Sequence, residues 1–363
     1  MKKIILCFDG TCCHPSDARQ EREWFGLGDM EDSGITNVLK MHLLLGGGLD
    51  NDSTDPRQRS FYYSGVGTHG NACQRVFNMI FAPDNQDVAE ILNLAGADLN
   101  RVFEPGDEIF LFGFSRGAAL ARRFAAIIPR YLPDGVDPTE IVRFMGVFDT
   151  VASIGVPNLS EQDRPVSDVL FENGTLSPHV FEALHLLALD ECRLAFRPTL
   201  MNADPRVTEI WFPGGHSDVG GGFWNDGLSD VTLRFMLDEI VRREFGLAIL
   251  DPIGVDYEHL VDKTEGYRID PEDVFIDPKS HGKIHLQDRW GPIAEMTLGT
   301  REVRVATNDN FDDALLPMVH STMWDRFAMV DDYRPRALKG VAHWLLDVDG
   351  DMERKNGLMD YIR

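Results

Sequence analysis

Glu108-Ile-Phe-Leu-Phe-Gly113-Phe-Ser115-Arg116-Gly117-Ala-Ala-Leu-Ala121 is the stretch that decides the fold. An apolar run from Ile109 to Phe112 stops at Gly113, and Ala118, Ala119, Leu120, Phe124, Ala125 and Ile128 then recur at helical spacing. Strand, sharp turn and helix therefore follow one another, with Gly-x-Ser-x-Gly in the turn. So tight a turn forces unusual dihedrals on its serine, and flanking glycines leave room for the adjoining strand and helix. The hydroxyl then projects above a sheet, beside the positive end of the helix dipole. The five-residue pattern alone is weak, since glycines and serines are common. Its flanks are what make Ser115 a candidate nucleophile.

The same alternation extends in both directions. Residues 2–8 are a short β-rich run that ends in the turn Asp9-Gly10-Thr11. A polar, Gly/Asp-rich stretch to Gly34 reads as loop, residues 37–45 as a helix closed by Gly46, and residues 59–64 as a second strand. Residues 85–102 read as a helix and 143–148 as a strand ending at Asp149-Thr150. Residues 207–212 are a further strand, ending at Pro213-Gly-Gly-His216-Ser-Asp218, and 230–245 form an amphipathic helix. From 247 to 310 the pattern breaks into prolines, aspartates and short runs. Strands alternating with helices predict an α/β chain with a mostly parallel, doubly wound sheet. No repeat or low-complexity linker interrupts it. The reading is one catalytic domain over 1–363, with insertions at about 156–206 and 247–310 covering the site.

Composition narrows the partners. The chain has 363 residues, 43% of them hydrophobic, enough for a sizeable core. Its net charge is −24, from 59 acidic against 35 basic residues, and no Lys/Arg cluster stands out. Nucleic acid is excluded as the main partner, because neutralising phosphates needs a basic face. The charge also opposes long-range attraction to anionic membranes, although a local apolar patch could still touch lipid. The apolar start of the chain stops after five residues at Asp9, too short for a signal peptide, and no run is long enough to span a bilayer. Five cysteines, odd in number and without metal-type spacing, fit folding in a reducing cytoplasm.

A nucleophilic serine needs a base, an orienter and amide donors for an oxyanion. If the strands are parallel, Asp149 and His216 end on the same sheet edge as Ser115, in the chain order of a nucleophile-elbow hydrolase. Asp149 is read as orienter and His216 as base. Asp149 as a turn cap and His216 as a structural turn histidine are the plainer alternatives. His320 also satisfies the order and is the rival base, whereas His343, between Ala342 and Trp344, is read as packed. The Arg116 amide is one expected oxyanion donor. Gly10-Thr11 is the best source of the other, with Gly65 to Thr68 second. The Arg116 side chain either steers an anion or pairs with a carboxylate. A metal on His216 and Asp218 lacks a third ligand, so neither metal nor cofactor is expected. Gly220-Gly221-Gly222 either lets backbone approach a substrate or ends the strand. Phe8-Asp9-Gly10-Thr11 resembles the start of a haloacid-dehalogenase phosphatase, but Cys7 stands where that chemistry needs an aspartate.

Taken together, the chain resembles the α/β-hydrolase domain family of bacteria and fungi that includes type VI secretion phospholipase effectors, the first lipase-effector family. The resemblance is carried, in order, by Phe8-Asp-Gly-Thr11, Gly113-Phe-Ser-Arg-Gly-Ala118, Gly146-Val-Phe-Asp-Thr-Val151, Ala188-Leu-Asp-Glu-Cys-Arg-Leu-Ala-Phe196 and Phe212-Pro-Gly-Gly-His-Ser-Asp-Val-Gly-Gly-Gly222. It implies an α/β-hydrolase-like serine ester hydrolase with the triad Ser115, Asp149 and His216, acting on phospholipid without a metal. Cys12-Cys13 and Phe148 depart from the residues common in the family at those places. The expected partner is an acyl ester or phospholipid; no residue pattern designates an immunity or secretion partner. The expected location is the cytoplasm, or outside the cell by a signal-peptide-independent export route. A rival from another class is a non-catalytic binding or toxin-partner module that keeps the fold.

Overall fold

The computed structural model describes residues 1–10, 33–53, 55–65, 85–152, 174–224, 227–261, 267–285 and 298–362. Its strands are β1 Lys3–Phe8, β2 Gln58–Tyr63, β3 Glu108–Phe114, β4 Val142–Phe148, β5 Ala183–Ala188, β6 Val207–Phe212, β7 Ala306–Thr307, β8 Asn310–Phe311, β9 Met318–His320, β10 His343–Leu346 and β11 Met352–Lys355. The helices are α1 Asn37–Leu44, α2 Asn85–Val102, α3 Ser115–Ile127, α4 His216–Gly220, α5 Gly227–Arg242, α6 Pro271–Val274 and α7 Thr322–Met329.

Among the described residues, nine strands form one sheet in the order β11-β10-β9-β6-β5-β4-β3-β1-β2. Every pairing is parallel except β10 with β11 at the edge. β1 shows why the sequence folds this way. Ile4, Leu6 and Phe8 pack on one face, with Leu111 of β3 and Ala118 and Phe124 of α3. Ile5 and Cys7 pack on the other, with Phe112, Val38 of α1 and Met236 of α5. A strand buried on both faces needs an unbroken apolar run, and that is what residues 4–8 supply. The architecture is the expected doubly wound, mostly parallel α/β sheet.

Register aligns the strand ends. Phe8 pairs with Gly113, Phe114 with Phe148, Phe148 with Leu186, and Ala188 with Phe212. Asp9, Ser115, Asp149 and the turn before His216 therefore emerge along one edge, where open α/β sheets hold ligands.

One expectation is corrected. The stretch 156–206 is not all cover: Ala183–Ala188 is β5, fully buried between β4 and β6. Five apolar residues around a histidine carry no periodicity that separates a buried strand from a helix turn. The stretch 247–310 holds short 3-10 turns, α6 and the β7–β8 ribbon, and it sends two side chains, His285 and Arg301, back to the edge of the sheet.

Candidate active site

Ser115 is the first residue of α3, has φ of +56°, and is 8% exposed. A side chain in the left-handed region is strained and persists only where packing over-determines it. The packing here is explicit. A Cβ on Gly117 would lie 2.2 Å from the Phe8 carbonyl oxygen and 2.4 Å from that of Asp9. One on Gly113 would lie 2.7 Å from the Ala118 Cα. Gly117 lets the first turn of α3 press against the end of β1, and Gly113 lets that turn fold back closely on β3. Gly117→Ala is accordingly expected to lower unfolding stability by at least about 2 kcal/mol, since backbone cannot yield as a side-chain tip does. Urea denaturation measures it, and a loss under about 0.5 kcal/mol, the usual scatter for an innocuous site, would contradict the packing account.

Asp149 also has a positive φ, +37°, and is fully buried. Its Oδ2 accepts from His216 Nδ1 at 2.6 Å and its Oδ1 from the Ala188 amide at 3.0 Å. Arg301 forks onto the same carboxylate, Nη1 to Oδ1 at 2.6 Å and Nη2 to Oδ2 at 2.8 Å. Burial alone would raise this carboxyl, but the Arg301 charge and the His216 bond outweigh it and hold Asp149 well below the usual carboxylate range. The Ser115 carbonyl accepts from the Val151 amide at 3.2 Å, which ties the serine turn to the Asp149 loop.

His216 opens α4 and is 4% exposed. Its ring lies against Phe114, with centroids 4.6 Å apart, and edge-on to Phe196 at 4.9 Å. Burial lowers its proton affinity below the ordinary histidine value, although the Asp149 bond and charge oppose this. The His216 amide donates to Glu191 Oε2 at 3.1 Å. Glu191 is itself clamped by Arg193, whose Nε and Nη2 reach it at 2.8 and 2.7 Å. Burial would raise Glu191, and the Arg193 bond and charge hold it down at about 2. Beneath the Asp149 turn, His185 Nε2 accepts from the Thr150 amide at 3.0 Å while Nδ1 meets Glu209 at 2.7 Å.

The other candidates are placed differently. His320 stacks on Phe212 and lies edge-on to Phe235, and its Nδ1 accepts from the Thr322 amide at 3.2 Å. Burial pushes it down to about 4. The carboxylate meets His216 and not this rival. His343 is packed, bonding Tyr361 through Nε2 at 2.7 Å. The Gly10 amide is directed at Asp9 Oδ1, 2.7 Å away, and Asp9 Oδ2 accepts from Thr36 at 2.5 Å and Tyr62 at 2.6 Å. Burial pushes Asp9 up to about 6 against those bonds. Thr11 and the turn from Val66 to Thr68 lie outside the described residues, as do Cys12, Cys13 and Cys73. Arg116 follows Ser115 in the first turn of α3, where backbone amides lack helix partners.

Asp218 caps its own helix through the Gly215 amide at 2.8 Å and pairs with His285 Nδ1 at 2.6 Å. His285 in turn stacks on Phe223 with centroids 3.8 Å apart. The glycine run serves close packing: a Cβ on Gly220 would meet the Phe114 ring at 2.0 Å, and one on Gly221 the Asn37 amide at 2.5 Å. Sequence reasoning missed Glu191, Arg193, Phe196, His285 and Arg301. The first three lie in Ala188–Phe196, a segment of the family resemblance, which was the one signal present. No signal marked Arg301.

The profile of the family described as T6SS, Phospholipase effector Tle1-like, catalytic domain, matches residues 2–131 and 134–239. An uncharacterized protein of Saccharomyces cerevisiae, YEL023C, is 28% identical over 261 residues, covering 58% of this chain and 34% of the yeast protein. Among solved structures, an uncharacterized protein from Pseudomonas aeruginosa is 19% identical with a TM-score of 0.42, covering 70% of this chain and 47% of its own. A Tle1 effector bound to the VgrG spike of a type 6 secretion system is 23% identical with a TM-score of 0.37, covering 61% of this chain and 51% of its own. The matches thus take in 34%, 47% and 51% of these relatives' lengths.

Proposed function

Because this chain belongs to the Tle1-like phospholipase effector catalytic-domain family of type VI secretion, we propose that it is a serine carboxylic-ester hydrolase acting on phospholipid acyl esters. Ser115 is the nucleophile, His216 the base and Asp149 the orienter, within a single catalytic unit that the stretch 247–310 completes. The observation that carries this reading is the 2.6 Å contact of Asp149 Oδ2 with His216 Nδ1, on the sheet edge where Ser115 is held at positive φ.

Each role follows from ordinary chemistry. Nδ1 of His216 faces the carboxylate, so Nε2 is the nitrogen left to take the Ser115 proton as Oγ attacks the acyl carbonyl. The same nitrogen then gives that proton to the departing alcohol, leaving an acyl-serine that water hydrolyses by the reverse path. The Arg116 amide is the first oxyanion donor. The Gly10 amide can be the second only by leaving Asp9, which makes the Thr11 amide its alternative. No step calls for a metal or cofactor. Among the described residues no helix is long and apolar enough to cross a membrane, so lipid would be met peripherally. Folding in the cytoplasm followed by signal-peptide-independent export is the proposed route.

Turnover of a short p-nitrophenyl ester and of mixed phospholipid vesicles tests the reading, with product analysis to identify the bond cut. Hydrolysis of both is expected. Wild-type protein inert toward every ester would instead favour the non-catalytic module. His320→Ala decides the base: turnover within about threefold of wild type is expected, because that ring packs against Phe212 and Phe235 and bonds Thr322 rather than the Asp149 carboxylate. Loss of turnover in a folded His320→Ala protein would transfer the role from His216.

A further inference from the structure

The buried guanidinium of Arg301 has no part in the steps above, yet it is bonded to their carboxylate. Four N–H groups converge on Asp149: two from Arg301, one from His216 and one from the Ala188 amide. They fill the acceptor sites of a carboxylate. Arg301 Nη2 also donates to the Phe196 carbonyl at 2.7 Å, and the Phe196 ring is the one set edge-on to His216. Its segment is tied to the same place. The Gly299 amide donates to the Cys192 carbonyl at 2.7 Å, and Leu298 bridges to Arg193.

The charges facing His216 can be counted by element. Asp149 comes from the turn after β4, Glu191 and Arg193 from the turn after β5, and Arg301 from the far end of the accessory stretch. On its own helix, Asp218 is engaged with His285. Beneath the Asp149 turn, His185 is engaged with Glu209. Among the described residues, two carboxylates stand against two guanidiniums around His216, so these charges balance while His216 is neutral. A carboxylate that serves a histidine ordinarily keeps a whole negative charge for the imidazolium. Here the fork offsets that charge, and a proton on His216 would stand unbalanced against the Phe114 and Phe196 rings.

We infer that Arg301 is a positioning residue of this site: its fork counters the charge of Asp149 and holds Phe196 over His216, so the imidazole stays uncharged and hydrolysis persists in mildly acidic medium. The inference rests on the assignment of Ser115, His216 and Asp149 given above. It also gives the accessory stretch a duty in catalysis, besides any part in covering the site.

The test compares wild type with Arg301→Met and Arg301→Lys in two measurements. One is kcat/KM against pH on a soluble p-nitrophenyl ester. The other is NMR titration of histidine-labelled protein in a Ser115→Ala background, with His216 assigned by its loss in His216→Ala. In Arg301→Met both the acid limb and the His216 midpoint are expected to rise by about one unit, the usual size for removing a nearby charge. Arg301→Lys keeps the charge without the fork, so the midpoint should stay near wild type while kcat falls. Should Arg301→Met fail to fold, Arg301→Gln keeps donors toward Asp149 without the charge and is expected to show the same rise. Midpoints unchanged in folded, uncharged variants that still turn over ester would overturn the role of Arg301 alone. Wild-type protein without turnover at any pH overturns the hydrolase assignment, and the titration still reports on Arg301.

Discussion

Ser115→Ala is expected to lower kcat on a soluble ester by about a millionfold, and His216→Ala by a similar factor. The double variant should lose no more than either single one, because nucleophile and base act as a unit and removing one idles the other. What remains, about 10³- to 10⁴-fold over water, belongs to substrate binding and the oxyanion donors. The strained geometry of Ser115 adds a second readout. Alanine keeps the Cβ and therefore the cost of φ at +56°, so stability should stay near wild type. Glycine removes that cost, and Ser115→Gly is expected to be inactive yet as stable as wild type or more so, by up to about 1 kcal/mol. An active Ser115→Ala protein would end the assignment of Ser115 as nucleophile. Ser115→Gly falling well below Ser115→Ala in a urea titration would show that the turn is not held under strain.

The parts of this site that could be read from sequence are those fixed locally. Gly113, Ser115 and Gly117 lie in one turn whose strand and helix adjoin it, so the motif and its surroundings are visible within about twenty residues. Asp149 and His216 were legible at one remove. Each follows an apolar run, and parallel strands bring the ends of such runs to a common edge. The contacts that make the site electrostatically unusual had no such cue. Arg301 is 152 residues from Asp149 in sequence and sits among charged and polar neighbours that look like any solvated surface. Only the folded sheet makes its guanidinium a buried partner. β5 was missed for a different reason. Ala-Leu-His-Leu-Leu-Ala is short, without β-branched or aromatic residues, and a buried histidine inside it has no meaning until Glu209 and the Thr150 amide are beside it. Short strands such as β9 and β10 carry too few residues for any period to show.

Asp149→Asn is the variant in which the proposed catalytic role of this carboxylate separates from its structural one. Asparagine has nearly the same shape and tolerates positive φ, so the +37° turn is not itself disturbed. Two things change. The amide can no longer hold His216 with its Nδ1 proton directed at a negative charge, and the wrong tautomer then faces the serine. A fall in kcat of about 10⁴-fold is expected, as for the same substitution in other triads. The second change is left in the interior: Arg301 keeps its charge at a buried site and loses its counter-ion. Breaking one side of a buried pair costs about 3–5 kcal/mol, because the remaining charge is neither hydrated nor compensated. Arg301→Met on top of Asp149→Asn removes that orphaned charge, so the double variant is expected to recover most of the stability and none of the turnover. Urea denaturation and ester turnover on the same three proteins separate the possibilities. An Asp149→Asn enzyme within tenfold of wild type would remove Asp149 from the catalytic set. An inactive Asp149→Asn protein of undiminished stability would mean that water or a neighbouring acceptor already satisfies Arg301. The pair would then be an accident of packing, with no bearing on how the base is tuned.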